Sequence, residues 1–140
     1  MEENQQKPDV SGMKVLVVDD SKTIRRTADT LLSKAGCTVE TAIDGFDALA
    51  RIGDFNPDVI IIDILMPRLD GYQSTALIKN SPRFADTPIV LLSSKDSIFD
   101  KARGRVVGAS DYLTKPFTSD EILGAIAHLD TAKAEPASST

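Results

Sequence analysis

The chain contains one cysteine, one histidine and no tryptophan in 140 residues, and only 5% of its residues are aromatic. A single cysteine cannot close an internal disulfide, so the fold has to rest on its core. Cys37, between Gly36 and an apolar run, reads as a small buried hydrophobe rather than a reactive thiol. The one histidine, His128, falls on or beside the apolar stripe of the last predicted helix. It reads as a helix-end residue, and no serine or cysteine is placed to use it as a base. A basic excess is also missing. The formal net charge is -5, three of those charges lie in the two tails, and nothing between them suggests a surface for nucleic acid phosphates. Direct nucleic acid binding is therefore not expected. The start, MEENQQKPDVSG, has no apolar core of a signal peptide. No apolar stretch approaches the roughly 18–20 residues that span a bilayer. Membrane insertion is not expected, and the chain reads as cytoplasmic.

What is present suits one compact domain. Apolar residues make up 41% of the chain and charged ones 26%. Polar tails are expected to be disordered at 1–12 and 130–140, flanking a folded domain at 13–129. Within it, strand-like and helix-like segments alternate five times. The strand-like runs are KVLVV (14–18), TVETA (38–42), VIII (59–62), IVLL (89–92) and a stretch near 111–114. The third is the most apolar, as befits a central parallel strand covered on both faces. The second is polar, as befits a strand near an edge. Ile24, Ala28, Leu31, Leu32 and Ala35 follow helical spacing after Ser21, a natural cap, and Gly36 stops that helix. Further helices are predicted from Phe46 to Ile52, closed by Gly53 and Pro57, and at about 71–80, 96–106 and 119–129. Five strand–helix pairs imply an α/β fold: a doubly wound (βα)5 domain with a parallel sheet and helices on both faces.

The chemistry collects where strands end. The first ends in Asp19-Asp20, the third in Asp63, the fourth in Ser93-Ser94 and the fifth in Thr114-Lys115. In open α/β sheets, ligands bind outside the carboxyl ends of the strands. With the first and third strands adjacent, Asp19, Asp20 and Asp63 converge. Any one of them alone would be a cap more often than a ligand. Three together repel unless a cation joins them, and hard oxygen donors favour Mg²⁺, with Mn²⁺ able to substitute. Lys115 supplies a second positive charge. The X-Pro bond after it can be cis, and a cis Lys115-Pro116 bond is expected. Ser93 offers a hydroxyl donor to a phosphoryl oxygen. Cation, lysine and hydroxyl around one carboxylate make an environment for phosphoryl transfer, with Asp63 as the attacking group.

These residues resemble the receiver domains of two-component response regulators over about residues 13–129. The acidic pair stands in VVDDS (17–21), the phosphoacceptor motif in DILMPRLDG (63–71), the hydroxyl at Ser93, the switch aromatic at Tyr112 and the lysine–proline pair in KPF (115–117). The resemblance implies a flavodoxin-like sheet of order 2-1-3-4-5. It implies Asp63 as phosphoacceptor, with Asp20 and Asp63 binding metal directly and Asp19 acting mainly through metal-bound water. The Leu65 backbone carbonyl would complete the protein ligands. Lys115 and Ser93 would stabilise the phosphoryl group, and Ser93 with Tyr112 would form the switch. More narrowly, DDSKTIRRTA (19–28), AIDGFDALARI (42–52), PRLDGYQSTALIKN (67–80) and SSKDSIFDKARGRVVG (93–108) resemble chemotaxis-type receivers of type IV pilus twitching motility. That implies a chemotaxis-type histidine kinase as donor and a motility or pilus protein downstream. With only about ten polar residues after the last helix, output is expected through the face of the fourth helix, fifth strand and fifth helix. Lys101, Arg103, Arg105 and Tyr112 are its candidate residues.

Other readings compete. A flavin or nucleotide binder would share the architecture, but Asp19-Asp20 would repel a phosphate where such sites place Gly, Ser and Thr amides. Haloacid-dehalogenase-like phosphatases also use an aspartyl intermediate, but they carry Asp-x-Asp after their first strand. A receiver of another chemosensory system and a non-phosphorylated docking module remain as alternatives. Slow self-dephosphorylation is expected, without making the chain a turnover enzyme.

Overall fold

The computed structural model describes residues 9–138, with side chains as far as Leu129. Five strands alternate with five helices: β1 (Lys14–Val18), α1 (Lys22–Lys34), β2 (Thr38–Ala42), α2 (Gly45–Phe55), β3 (Val59–Asp63), α3 (Gly71–Lys79), β4 (Ile89–Ser93), α4 (Ile98–Val107), β5 (Asp111–Thr114) and α5 (Ser119–Ser138). The strands form one sheet in the order β2-β1-β3-β4-β5, and every pairing is parallel. This is the doubly wound architecture expected from the alternation.

Side chains leave a strand on alternate faces, so each central strand feeds two cores. Val15, Val17, Ile61, Val90 and Leu92 pack with Ala28 and Leu32 of α1 and Ile122 and Ile126 of α5. Leu16, Val18, Ile60, Ile62 and Leu91 pack on the other face with Ala48 and Ile52 of α2 and Tyr72 and Ile78 of α3. All five residues of β3 are buried, whereas β2 lies at an edge and buries only Ala42. All five helices start on a side-chain cap: Ser21, Asp44, Asp70, Ser97 and Thr118 each accept a backbone N–H from three residues on. These caps hold the helix N-termini at the same end of the sheet as the strand-end acids.

Three boundaries differ from expectation. Gly53 does not end α2, which runs to Phe55 and stops at Asn56 in the left-handed region, φ 52°. Asparagine tolerates that conformation as a helix terminator. The N-terminal tail was expected through residue 12, but Val10 is 1% exposed and belongs to the core beside Cys37, whose thiol donates to the Val10 carbonyl at 3.5 Å. Residues 1–8 and 139–140 of the two expected tails lie outside the described residues. At the other end α5 continues past 129 to Ser138. Among the described residues no helix is long and apolar enough to cross a membrane.

The turn after β3 brings α3 close to the strand. A Cβ on Gly71 would lie inside contact distance of the Asp63 carbonyl oxygen and 2.7 Å from the Ile64 Cα. Both obstacles are backbone and cannot swing away. Gly71→Ala is therefore expected to cost about 2 kcal/mol or more of unfolding free energy, measured by urea denaturation. An unchanged midpoint would show that the turn has room the structure does not reveal.

Candidate functional site

Parallel register sets the site. Val18 of β1 pairs with Ile62 of β3, so the next residues, Asp19 and Asp63, emerge side by side at the strand ends. Asp19 is fully buried, Asp63 is 3% exposed, and Asp20 is exposed. One carboxylate oxygen from each of the three lies within 4.8 Å of the others. Asp19 is fixed on several sides. Its N–H donates to the Ala42 carbonyl at 3.1 Å, its Oδ1 accepts from the Ser21 N–H at 2.9 Å, and Arg25 donates to its carbonyl at 2.8 Å.

Lys115 follows β5 and reaches across to the acids. Its Nζ lies 3.3 Å from Asp19 Oδ2 and 3.2 Å from Asp63 Oδ1. The bond between Lys115 and Pro116 is cis, as expected. Burial pushes the Asp63 carboxyl up and the Asp19 charge adds to it. Lys115 and the Leu65 N–H pull it down only in part, leaving it at about 6. Burial works against the Lys115 ammonium, but Asp19 and Asp63 outweigh it and hold its pKa above the usual lysine value. One lysine does not balance these acids. The donor set is all oxygen, clustered and short of positive charge, which fits a hard divalent cation of the Mg²⁺ type.

The remaining predicted residues surround this cluster. Asp20, Asp63, Leu65, Ser93 and Lys115 line one open cleft. The Leu65 side chain is 79% exposed there. Ser93 is buried, and its Oγ accepts the Lys95 N–H at 3.0 Å, a turn that leaves the hydroxyl proton free to donate. Tyr112 is not in direct hydrogen-bond contact with Ser93. Its hydroxyl instead donates to the Lys95 carbonyl at 2.6 Å. The two predicted switch residues are therefore joined through the two faces of one backbone residue.

The four residues expected on one signalling face do not share it. Lys101 and Arg105 line a groove with Tyr112 between α4 and β5. Arg103 lines the acidic cleft instead, with its guanidinium 4.2 Å from the centroid of the Tyr72 ring on α3. Positions four apart share a helix face, while two apart lie on nearly opposite sides. That spacing was readable, but Tyr72 and Arg103 were not recognised as neighbours of Asp63. A second unpredicted contact steadies the loop after β3. Arg68, at φ 69°, donates to the buried Asp44 carboxylate at 2.6 Å.

Comparison with known proteins agrees with this geometry. Residues 15–127 match the family model of the response regulator receiver domain. Protein PilG of Pseudomonas aeruginosa is 67% identical over 115 residues, which are 82% of this chain and 85% of PilG. Response regulator MprA of Mycobacterium ulcerans is 39% identical over 112 residues; the match takes in 80% of this chain but only 47% of MprA. Among solved structures, the chemotaxis protein CheY4 of Vibrio cholerae superposes with a TM-score of 0.82 at 37% identity, covering 85% of this chain and 99% of that one.

The crowding of acids makes a prediction about stability. A carboxyl whose folded pKa is raised binds its proton more tightly in the folded state, so stability is lost as pH rises from the unfolded value toward about 6. Asp63→Asn removes that loss. Without divalent metal it is expected to exceed wild type by about 2–3 kcal/mol above pH 7, the linkage equivalent of the shift, with the gain shrinking toward pH 4. Urea denaturation in chelator across this range measures it, and a gain independent of pH would contradict the assigned cause.

Proposed function

The chain belongs to the response-regulator receiver family, and from that premise we propose that it is a phosphorylation switch acting through Asp63. Members of the family are signalling modules rather than turnover enzymes, so the question is which groups carry the signal here. The observation that carries the reading is the convergence of Asp19, Asp20, Asp63 and Lys115 at one end of the sheet. Asp20, Asp63 and the Leu65 carbonyl are the residues we assign to hold Mg²⁺, with Asp19 behind them. When bound, the ion supplies the positive charge that lets an anionic donor approach these acids.

In this reading an Asp63 carboxylate oxygen attacks phosphorus as the bond to the donor nitrogen of a phosphohistidine breaks. The bonding electrons leave with that nitrogen, which takes up a proton. Asp63 becomes an acyl phosphate. Lys115 pairs with the phosphoryl oxygens in place of part of its contact with Asp63, and the free Ser93 hydroxyl proton donates to another. That donation draws on the same side chain that accepts the Lys95 N–H. A shift of Lys95 changes the carbonyl on which the Tyr112 hydroxyl rests. The pocket is thereby tied to the groove that Tyr112 shares with Lys101 and Arg105, the face we assign to output.

The high identity to PilG, together with the matching segments quoted above, supports a place in a chemotaxis-type system controlling type IV pilus twitching motility. The donor would be a histidine kinase of that type and the target a motility or pilus protein. Localisation follows the same reading, in the cytoplasm.

Incubation with acetyl phosphate and Mg²⁺ is expected to add one phosphoryl group by intact mass, and chelation or Asp63→Asn to abolish it. Equal labelling of Asp63→Asn would sink the assignment. Ser93→Ala is expected to keep Mg²⁺ binding while blunting amide exchange changes over about residues 95–117 on adding beryllofluoride. An undiminished response in that variant would refute the route through Lys95.

A further inference from the structure

Arg103 sits where the phosphoacceptor reading leaves a gap. The cleft over Asp63 is also lined by Asp20, Asp70 and Asp100, so an incoming phosphoryl dianion meets carboxylates on several sides. Lys115 is already committed to Asp19 and Asp63. Arg103 belongs to the same cleft wall and makes no ion pair among the described residues. Lys95 also borders the cleft, but as a flexible ammonium with no aromatic platform among the described residues to fix it. Arg103 instead stacks on Tyr72, a ring 4% exposed whose hydroxyl donates to the Asp100 carbonyl at 3.3 Å. Stacking fixes a planar guanidinium at low entropic cost while its N–H edge stays available.

We infer that Arg103 is a donor-recognition residue of the cleft, holding the anionic phosphoryl group of the phosphodonor as it comes into line with Asp63. A guanidinium can take two phosphoryl oxygens at once, which suits it to orient the group as well as attract it. Lys115 then serves the oxygens nearest Asp63, and Arg103 those facing the cleft mouth. The inference rests on the reading of Asp63 as phosphoacceptor.

The test is the second-order rate of phosphorylation of the full chain by acetyl phosphate with saturating Mg²⁺, followed by intact mass. Arg103→Gln is expected to lower it about tenfold, the equivalent of one charge-assisted hydrogen bond, and to flatten its dependence on salt. Arg103→Lys should recover part of the rate, since charge returns without the planar fork. Lys34→Gln, at the far end of α1, removes the same charge and should leave the rate unchanged. Mg²⁺ affinity, measured by calorimetry, should be undiminished in Arg103→Gln, whereas a merely structural role would weaken it. Wild-type rate and salt dependence in Arg103→Gln, or a matching loss in Lys34→Gln, would overturn the inference while leaving the phosphoacceptor reading intact. A wild-type chain that takes no phosphoryl group would bring down both.

Discussion

The structure turns on the enforced proximity of two buried carboxylates. Asp19 and Asp63 are held at adjacent strand ends by the β1–β3 register, and neither can retreat into water. Isolated, such a pair would separate or take up a proton. The sheet prevents separation, because β3 is buried along its whole length between two helical layers. Lys115 offsets part of the repulsion from a strand two places away, which requires β4 and β5 to be in register as well. The packing of the whole sheet thus maintains a local electrostatic deficit. That deficit is the property a divalent cation can exploit.

Much of this was legible because parallel α/β topology converts strand ends into neighbours. Once VIII was recognised as a central strand, Asp63 had to sit at its carboxyl end, and Asp19 beside it. Boundaries were less legible. Gly53 looked like a stop but lies within α2, since one helical glycine costs only about 1 kcal/mol, while Asn56 supplied the left-handed terminator. Val10 was hidden in a polar segment because one apolar residue has no periodicity. It is buried in a core that includes Cys37, which comes from a distant part of the chain.

The side-chain neighbours of the site were harder still. The resemblance put Arg103 with Lys101, Arg105 and Tyr112 on one output face, a reading that ignored which side of the helix each occupies. Tyr72, directly after Asp70-Gly71, carries no signal of its own in the sequence. Its role as a platform arises only when α3 and α4 pack side by side on one face of the sheet. Ser93 and Tyr112 were paired as a switch without sight of the residue between them: in the structure the Lys95 N–H donates to the Ser93 hydroxyl and the Lys95 carbonyl accepts from the Tyr112 hydroxyl.

These placements give α4 a distinctive mechanical position. Gly104 is its only buried residue, and a Cβ there would come 2.9 Å from Leu91 Cδ1 on β4. The helix therefore rests on the sheet at its narrowest point. Arg103 and Arg105 flank that point, one toward the cleft and the other toward the groove with Tyr112. By contrast α2 buries three residues and α3 five. A helix with so little buried surface has the least packing to lose on moving, and elements that move in switching are drawn from the weakly held end of a structure. A charge change at Asp63 would reach α4 from two directions, through Lys95 before its first turn and through Arg103 in its middle. Both points border a helix whose one buried residue is a glycine.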